Sequence, residues 1–193
     1  MRHRFALAGL VVLMLGLGGG AGLVLGGPAT EPCKPGLTVG QRPGPYSFDV
    51  STGPERGRPT CFVCDTGDRP GAIVFARTLS PQLGKLLAQL DAAMGKQQGQ
   101  KDGLQAWLTM LDDGQADLDG RIVAFSKTHA IRHLPLGAFT DGDGPPAYRL
   151  SREADVTVIL FVQRKVTASF AFRAGELTEQ AIERIIAQLP SPR

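Results

Sequence analysis

The fold is decided by the stretch Val156-Thr-Val-Ile-Leu-Phe-Val162 and by the residues that follow it. This apolar, β-branched run predicts a buried strand. The polar residues Gln163-Arg-Lys165 then predict a turn, and alternating side chains over Val166–Phe172 predict a second strand, so the two strands form a hairpin. A last helix begins at Thr178, and its apolar residues recur at helical spacing up to Leu189.

Upstream of this hairpin, predicted strands alternate with predicted helices. In order, the elements are a strand at Gly71–Ala76, a helix from Ser80-Pro81, a strand at Leu104–Leu111, a helix capped by Asp117 or Asp119, and an extended run at His133–Phe139. Strands joined by crossover helices pair in parallel, whereas the terminal hairpin pairs antiparallel. The sequence therefore predicts an α/β protein with a mixed central sheet and helices on both faces.

The amino terminus is predicted to be a targeting segment. Arg2 and Arg4 precede Phe5–Gly27, a run of 23 residues without a charged side chain. A basic start followed by an apolar run is typical of a secretory signal, and about 20 apolar residues also suffice to span a bilayer. Residues 1–27 are therefore predicted to be a signal peptide or a membrane anchor. Either one places the rest of the chain outside the cytoplasm, as a periplasmic, secreted or membrane-anchored protein.

Composition excludes two other classes of protein. The chain has 193 residues, of which 42% are hydrophobic and 20% charged, which is the mix of a globular protein and not of a disordered one. The net charge is +3, and without Arg2 and Arg4 the chain holds 19 basic and 18 acidic residues. This balance argues against nucleic-acid binding. Residues 28–59 are rich in proline and glycine and are predicted to be a linker, with one edge strand at Tyr46–Val50, before a domain at 60–193.

The order of elements from Cys61 to Leu189 resembles the thioredoxin-like superfamily. The resemblance is strongest over Ala147–Phe161 and the hairpin and helix that follow, where members of the family have a short helix, a turn, a strand, a hairpin and a closing helix. It implies a thioredoxin-like mixed sheet and thiol–disulfide chemistry. Ala72–Arg77, followed by Ser80, is similar to the family's first core strand and active-site helix.

Two positions depart from the family's pattern. Thioredoxin-type enzymes carry C-x-x-C directly after the first core strand, where the helix N-terminus stabilises a thiolate. Here that place reads Arg77-Thr-Leu-Ser80 and holds no cysteine. The family's cis-proline corresponds to Val156, which we expect to follow a trans peptide bond because a cis bond before a residue other than proline costs about 3 kcal/mol. The fold alone therefore does not carry the family's activity to this chain.

The chain instead has Cys61-Phe-Val-Cys64, upstream of the first core strand. This spacing is compatible with a structural disulfide, with a displaced redox pair that works against Cys33 or a partner protein, or with half of a metal site. A structural zinc site needs four ligands, and Cys33, His129 or His133 could complete one only if the fold brings them close.

We therefore predict an exported thioredoxin-like protein that acts as a thiol–disulfide oxidoreductase through Cys61 and Cys64, without a cofactor. The resemblance implies that Cys61 is the attacking thiol and Cys64 the resolving one. The expected partner is a protein thiol or disulfide, and residues 5–27 are the expected membrane attachment. The alternative is a non-catalytic binding or structural module in which the two cysteines form a structural disulfide.

Overall fold

The structure is a computed structural model and describes residues 31–191, so the predicted targeting segment at 1–27 lies outside the described residues. The strands are β1 (Phe48–Val50), β2 (Pro59–Thr60), β3 (Gly71–Ala76), β4 (Gln105–Leu111), β5 (Leu136–Phe139), β6 (Val156–Val162) and β7 (Lys165–Phe172). The helices are α1 (Phe62–Thr66), α2 (Pro81–Lys96), α3 (Leu118–Thr128) and α4 (Glu179–Ala187), with one 3-10 turn at Pro146–Tyr148.

All seven strands belong to one sheet, in the order β2-β1-β5-β4-β3-β6-β7. Strands β3, β4 and β5 run parallel to one another, because α2 and α3 return the chain to the same end of the sheet each time. Strand β6 pairs antiparallel with β3 and with β7. The predicted mixed sheet and hairpin are therefore confirmed.

The two faces of the sheet are covered differently. On β3, Ala72 and Val74 contribute to the core formed with the apolar stripes of α2, α3 and α4. Ile73 and Phe75 point to the other face, where the short α1, the 3-10 turn and the chain before β1 form a second core. Successive side chains of a strand alternate between faces, so β3 is buried on both.

Helix α2 begins as predicted, with the Ser80 hydroxyl accepting a hydrogen bond from the Leu83 amide at 3.2 Å. Its apolar stripe contains Gly84, where a side chain would meet the His129 ring at 2.2 Å. His129 itself lies against Phe125, with ring centroids 4.5 Å apart. The glycine therefore lets α2 approach the end of α3, which explains a residue that is otherwise unfavourable inside a helix.

Residues 28–59 are predicted to be a linker. From Pro32 onward they belong instead to one compact unit, Pro32–Arg193. The Trp107 indole donates a hydrogen bond to the Tyr46 hydroxyl, which is also bonded to the Thr109 hydroxyl, each at 2.8 Å. Burial raises the pKa of Tyr46 well above its usual range and keeps its proton in place. Proline and glycine exclude a long helix here, but they permit an extended segment that packs on the sheet.

Candidate redox site

The two cysteines lie at α1, a short helix that the proline- and glycine-rich sequence around it does not predict. Cys61 is the residue before the helix and Cys64 lies in its first turn. Residues three apart on a helical turn are neighbours in space, and here the two Cα atoms are 5.4 Å apart and the sulfurs form a disulfide. The Cys64 amide donates a hydrogen bond to the Cys61 sulfur at 3.3 Å.

Aromatic contacts hold α1 against the sheet. The Phe62 ring stacks on Trp107, with centroids 5.7 Å apart, and lies 5.6 Å from the ring of Phe48. At the end of the helix, the buried Thr66 hydroxyl donates to the Phe62 carbonyl at 2.7 Å, and the Arg69 guanidinium donates to the Thr66 carbonyl at 3.2 Å. The disulfide therefore lies on a helix that the partly buried Phe62 holds against the sheet.

An open cleft of about 170 Å³ lies beside the disulfide on the side of Cys64. It is lined by apolar and basic side chains: Arg42, Pro43, Pro45, Val63, Cys64, Gly67, Phe161 and Arg164. Cys64 is exposed and Cys61 only half-buried, so the second cysteine is the more accessible of the two. Gly71 makes room for the Phe161 ring, since a side chain at that position would meet the ring at 2.1 Å.

Most charged residues close to the cysteines in sequence form ion pairs or hydrogen bonds with groups other than the cysteines. The Arg58 guanidinium pairs with Glu55, and Arg69 is turned to the carbonyls at the end of α1. Asp68 pairs with the Arg164 Nε at 2.9 Å. Asp65 is exposed beside Cys64. The cleft itself is lined by no carboxylate, so its positive charge comes from Arg42 and Arg164.

Several solved structures resemble this chain over most of its length. A secreted thiol-disulfide isomerase from Corynebacterium glutamicum matches with 14% identity and a TM-score of 0.55, covering 76% of this chain and 83% of that one. A secreted Mycobacterium tuberculosis disulfide oxidoreductase homologous to E. coli DsbE matches with 11% identity and a TM-score of 0.53, covering 75% and 96%. An uncharacterized conserved protein from Geobacillus kaustophilus matches with 13% identity and a TM-score of 0.60, covering 79% and 80%.

The chain has a thioredoxin-like fold. This confirms the fold class that the sequence predicts. No protein-family model and no curated protein matches the sequence.

The cysteines lie at the opposite end of β3 from the usual exchange site of the thioredoxin-like fold. That site would follow β3, whereas α1 precedes it. Phe161, which lines the cleft with Cys64, pairs with Gly71, the first residue of β3. A strand rises about 3.3 Å per residue, so the two ends of this six-residue strand are roughly 16 Å apart.

The position after β3 is filled by a polar network. The Arg77 guanidinium donates to the carbonyl of Ala154 at 2.9 Å, and also to those of Ser151 and Gly142. The Thr78 hydroxyl donates to both carboxylate oxygens of Asp155 at 2.8 and 2.9 Å. These bonds tie the start of α2 to the loop before β6. No thiol is present in this network.

The peptide bond before Val156 is trans, as are all others in residues 31–191. Cys33 is buried and carries a free thiol. Within the same residues, no group of three or more histidine, cysteine or acidic side chains is arranged to hold a metal ion. His129 packs on Gly84, and the ring of His133 lies over Gly95 of α2, so neither histidine joins the cysteine pair.

Sequence reasoning missed Arg42 and Arg164. The first lies in the predicted linker and the second in the predicted turn of the hairpin. A basic residue in each of two loops gives no periodic signal, and only the packing of the two loops brings both residues to one cleft.

Proposed function

We propose that the protein is an exported thiol–disulfide oxidoreductase whose exchanging pair is Cys61 and Cys64. The observation that carries this proposal is the Cys61–Cys64 disulfide beside an open cleft, with Cys64 exposed to an incoming thiol. Disulfide exchange needs an accessible sulfur and a second cysteine within reach, and the turn at α1 supplies both. Named neighbours in the fold include a disulfide oxidoreductase and a thiol-disulfide isomerase, which supports the same chemistry.

The export part of the proposal depends on residues 1–27 acting as a signal peptide or anchor ahead of the thioredoxin-like unit. Both named neighbours are described as secreted. In the part of the chain that the structure describes, no helix is long and apolar enough to cross a bilayer. We propose residues 5–27 as the membrane attachment, on the basis of their apolar sequence. The natural partner would be a protein thiol or disulfide in an oxidising compartment.

A rival function is a non-catalytic binding or structural module. It is favoured by the network of Arg77, which closes the usual exchange site, and by the position of the disulfide on α1, which supplies Phe62 to the core. In that case the disulfide would have only a structural role and would resist mild reductants. Structural disulfides of secreted proteins have reduction potentials below about −300 mV.

A thiol titration separates the two functions. The purified protein is equilibrated in a series of dithiol redox buffers, its thiols are alkylated, and the modified cysteines are counted by mass. We expect a midpoint above about −300 mV and reduction of insulin disulfides that is lost in Cys61→Ser and in Cys64→Ser. Cys33→Ser is the matched control and should behave like wild type. Undiminished activity in Cys61→Ser would end the proposal.

A further inference from the structure

The cysteine pair is asymmetric toward solvent. Cys64 is exposed and lines the cleft, whereas Cys61 is half-buried and does not line it. The Cys61 sulfur already accepts a hydrogen bond from the Cys64 amide. A group that enters the cleft therefore meets Cys64. If the disulfide is cleaved at Cys64, the negative charge develops on the Cys61 sulfur, where the Cys64 amide can stabilise it.

Two arginines line the cleft, and only one of them is ion-paired in the part of the chain that the structure describes. The half-buried Val63 offers apolar surface to a peptide, whereas Phe161 is only 1% exposed. The exposed Arg42 guanidinium has no ion-pair partner among residues 31–191. Arg164 uses its Nε for Asp68, and its terminal nitrogens have no partner in the described chain. Two guanidinium groups in this state suit a carboxylate, which they can bind in a bidentate manner.

The two arginines lie on loops that are joined by backbone hydrogen bonds. The Gly40 amide donates to the Val166 carbonyl, and the Val166 amide donates to the Gln41 carbonyl, each at 2.9 Å. Arg164 is part of a tight hairpin turn, with φ of 52° at Gln163 and 59° at Arg164. The walls of the cleft are therefore held by backbone bonds, so the positions of the charges relative to Cys64 are set by the fold.

We propose that this cleft is the substrate subsite, on the premise of the redox function above: the substrate is an acidic, cysteine-containing peptide segment. Its cysteine reacts at the Cys64 sulfur, and a carboxylate flanking that cysteine pairs with Arg42 and Arg164. This assigns the substrate-linked role to Cys64, opposite to the order that the family resemblance implies.

In the oxidising direction the exchange has two steps. A substrate thiolate attacks the Cys64 sulfur, the Cys61–Cys64 bond breaks, and its electron pair leaves with the Cys61 sulfur. A second substrate thiolate then attacks the substrate sulfur of the mixed disulfide and releases the Cys64 thiolate. The substrate loses two electrons and gains a disulfide, the protein gains two electrons, and the two thiol protons end on Cys61 and Cys64.

The test uses pentapeptides that hold one cysteine flanked by Glu, Gln or Lys and activated as a neutral thiopyridyl disulfide. Release of thiopyridone reports attack by the single remaining thiol of the site in Cys61→Ser or in Cys64→Ser, each made in Cys33→Ser. We expect Cys61→Ser to react about tenfold faster with the Glu peptide than with the Lys peptide, since two exposed ion pairs together contribute about that factor. Cys64→Ser should react more slowly and with less preference.

Arg42→Gln combined with Arg164→Gln should bring the Glu-to-Lys ratio close to one. Arg58→Gln is the matched control, because it removes the same charge three residues from Cys61 but outside the cleft, and the ratio should persist. In wild type, acid quenching followed by peptide mapping should find the mixed disulfide on Cys64, which does not depend on how well a serine variant folds.

Equal rates for the three peptides, or mapping of the mixed disulfide to Cys61, would overturn the inference while leaving the redox function standing. A wild-type protein that exchanges with none of the peptides and does not reduce insulin would instead remove the proposed function, and this inference with it.

Discussion

The two ends of β3 differ in how their polar side chains are used. After the strand, Arg77 and Thr78 direct their polar atoms to carbonyls and to a carboxylate of the same chain. Before the strand, a disulfide lies beside a cleft whose arginines keep donors unused. Side chains whose hydrogen bonds are satisfied internally hold loops in place, whereas unsatisfied donors at a cleft remain available to a ligand. Under the proposed function, the end after β3 supports the fold and the end before it carries the exchange chemistry.

Arg77→Ala should break the supporting end and produce the largest loss of stability. The substitution removes charge-assisted bonds to three carbonyls, and we expect the free energy of unfolding to fall by about 3 kcal/mol in urea denaturation. The midpoint potential of the cysteine pair should stay at its wild-type value, because the pair lies at the other end of the strand.

Arg121→Ala is the control for this change. Among residues 31–191 its exposed guanidinium makes one hydrogen bond, to the Gln115 amide oxygen at 2.9 Å, and its loss should cost no more than about 0.5 kcal/mol. A stable Arg77→Ala protein with a shifted midpoint potential would show that the two ends are not divided as described.

Reducing the disulfide should have the second largest effect and should act at the other end. Closing a loop of four residues stabilises a fold by about 2 kcal/mol in the chain-entropy model, so reduction should lower Tm by about 6 °C. In hydrogen exchange, the amides of α1 should lose protection while those at the start of α2 keep theirs. The double variant Cys61→Ser/Cys64→Ser should melt near the reduced protein and be insensitive to reductant. Loss of protection at both ends would argue against independent regions.

Much of the fold could be predicted because its elements leave local signals. The boundaries of Gly71–Ala76 and Val156–Val162 agree with the structure to the residue, since each is an apolar run bounded by turn residues. Helix α1 could not be predicted in the same way. It has five residues, too few to show a helical period, and it is held by the contact of Phe62 with Trp107, which is distant in sequence.

The candidate site was also predictable only where its signal is local in the sequence. Spacing alone was enough to single out Cys61 and Cys64, because a C-x-x-C pair can close within one turn. Their separation from the usual exchange site was also visible, since the cysteines precede β3 in the chain. The cleft was not visible, because Arg42 reaches it only through the pairing of Gly40 and Gln41 with Val166. Long-range backbone pairing of this kind leaves no trace in local composition.

Thr78→Val should have the smallest effect of these substitutions. It also tests most directly whether the two ends of β3 are independent. The hydroxyl is bonded to both oxygens of Asp155, but the residue is exposed and water competes for the same groups. We therefore expect a loss of about 1 kcal/mol, while Thr78→Ser, which keeps the hydroxyl, should lose less than half of that. Insulin reduction should be unchanged in both variants. If Thr78→Val instead slowed exchange at a fixed stability, the network after β3 would be coupled to the cysteines across the strand, and the role of mere support would have to be given up.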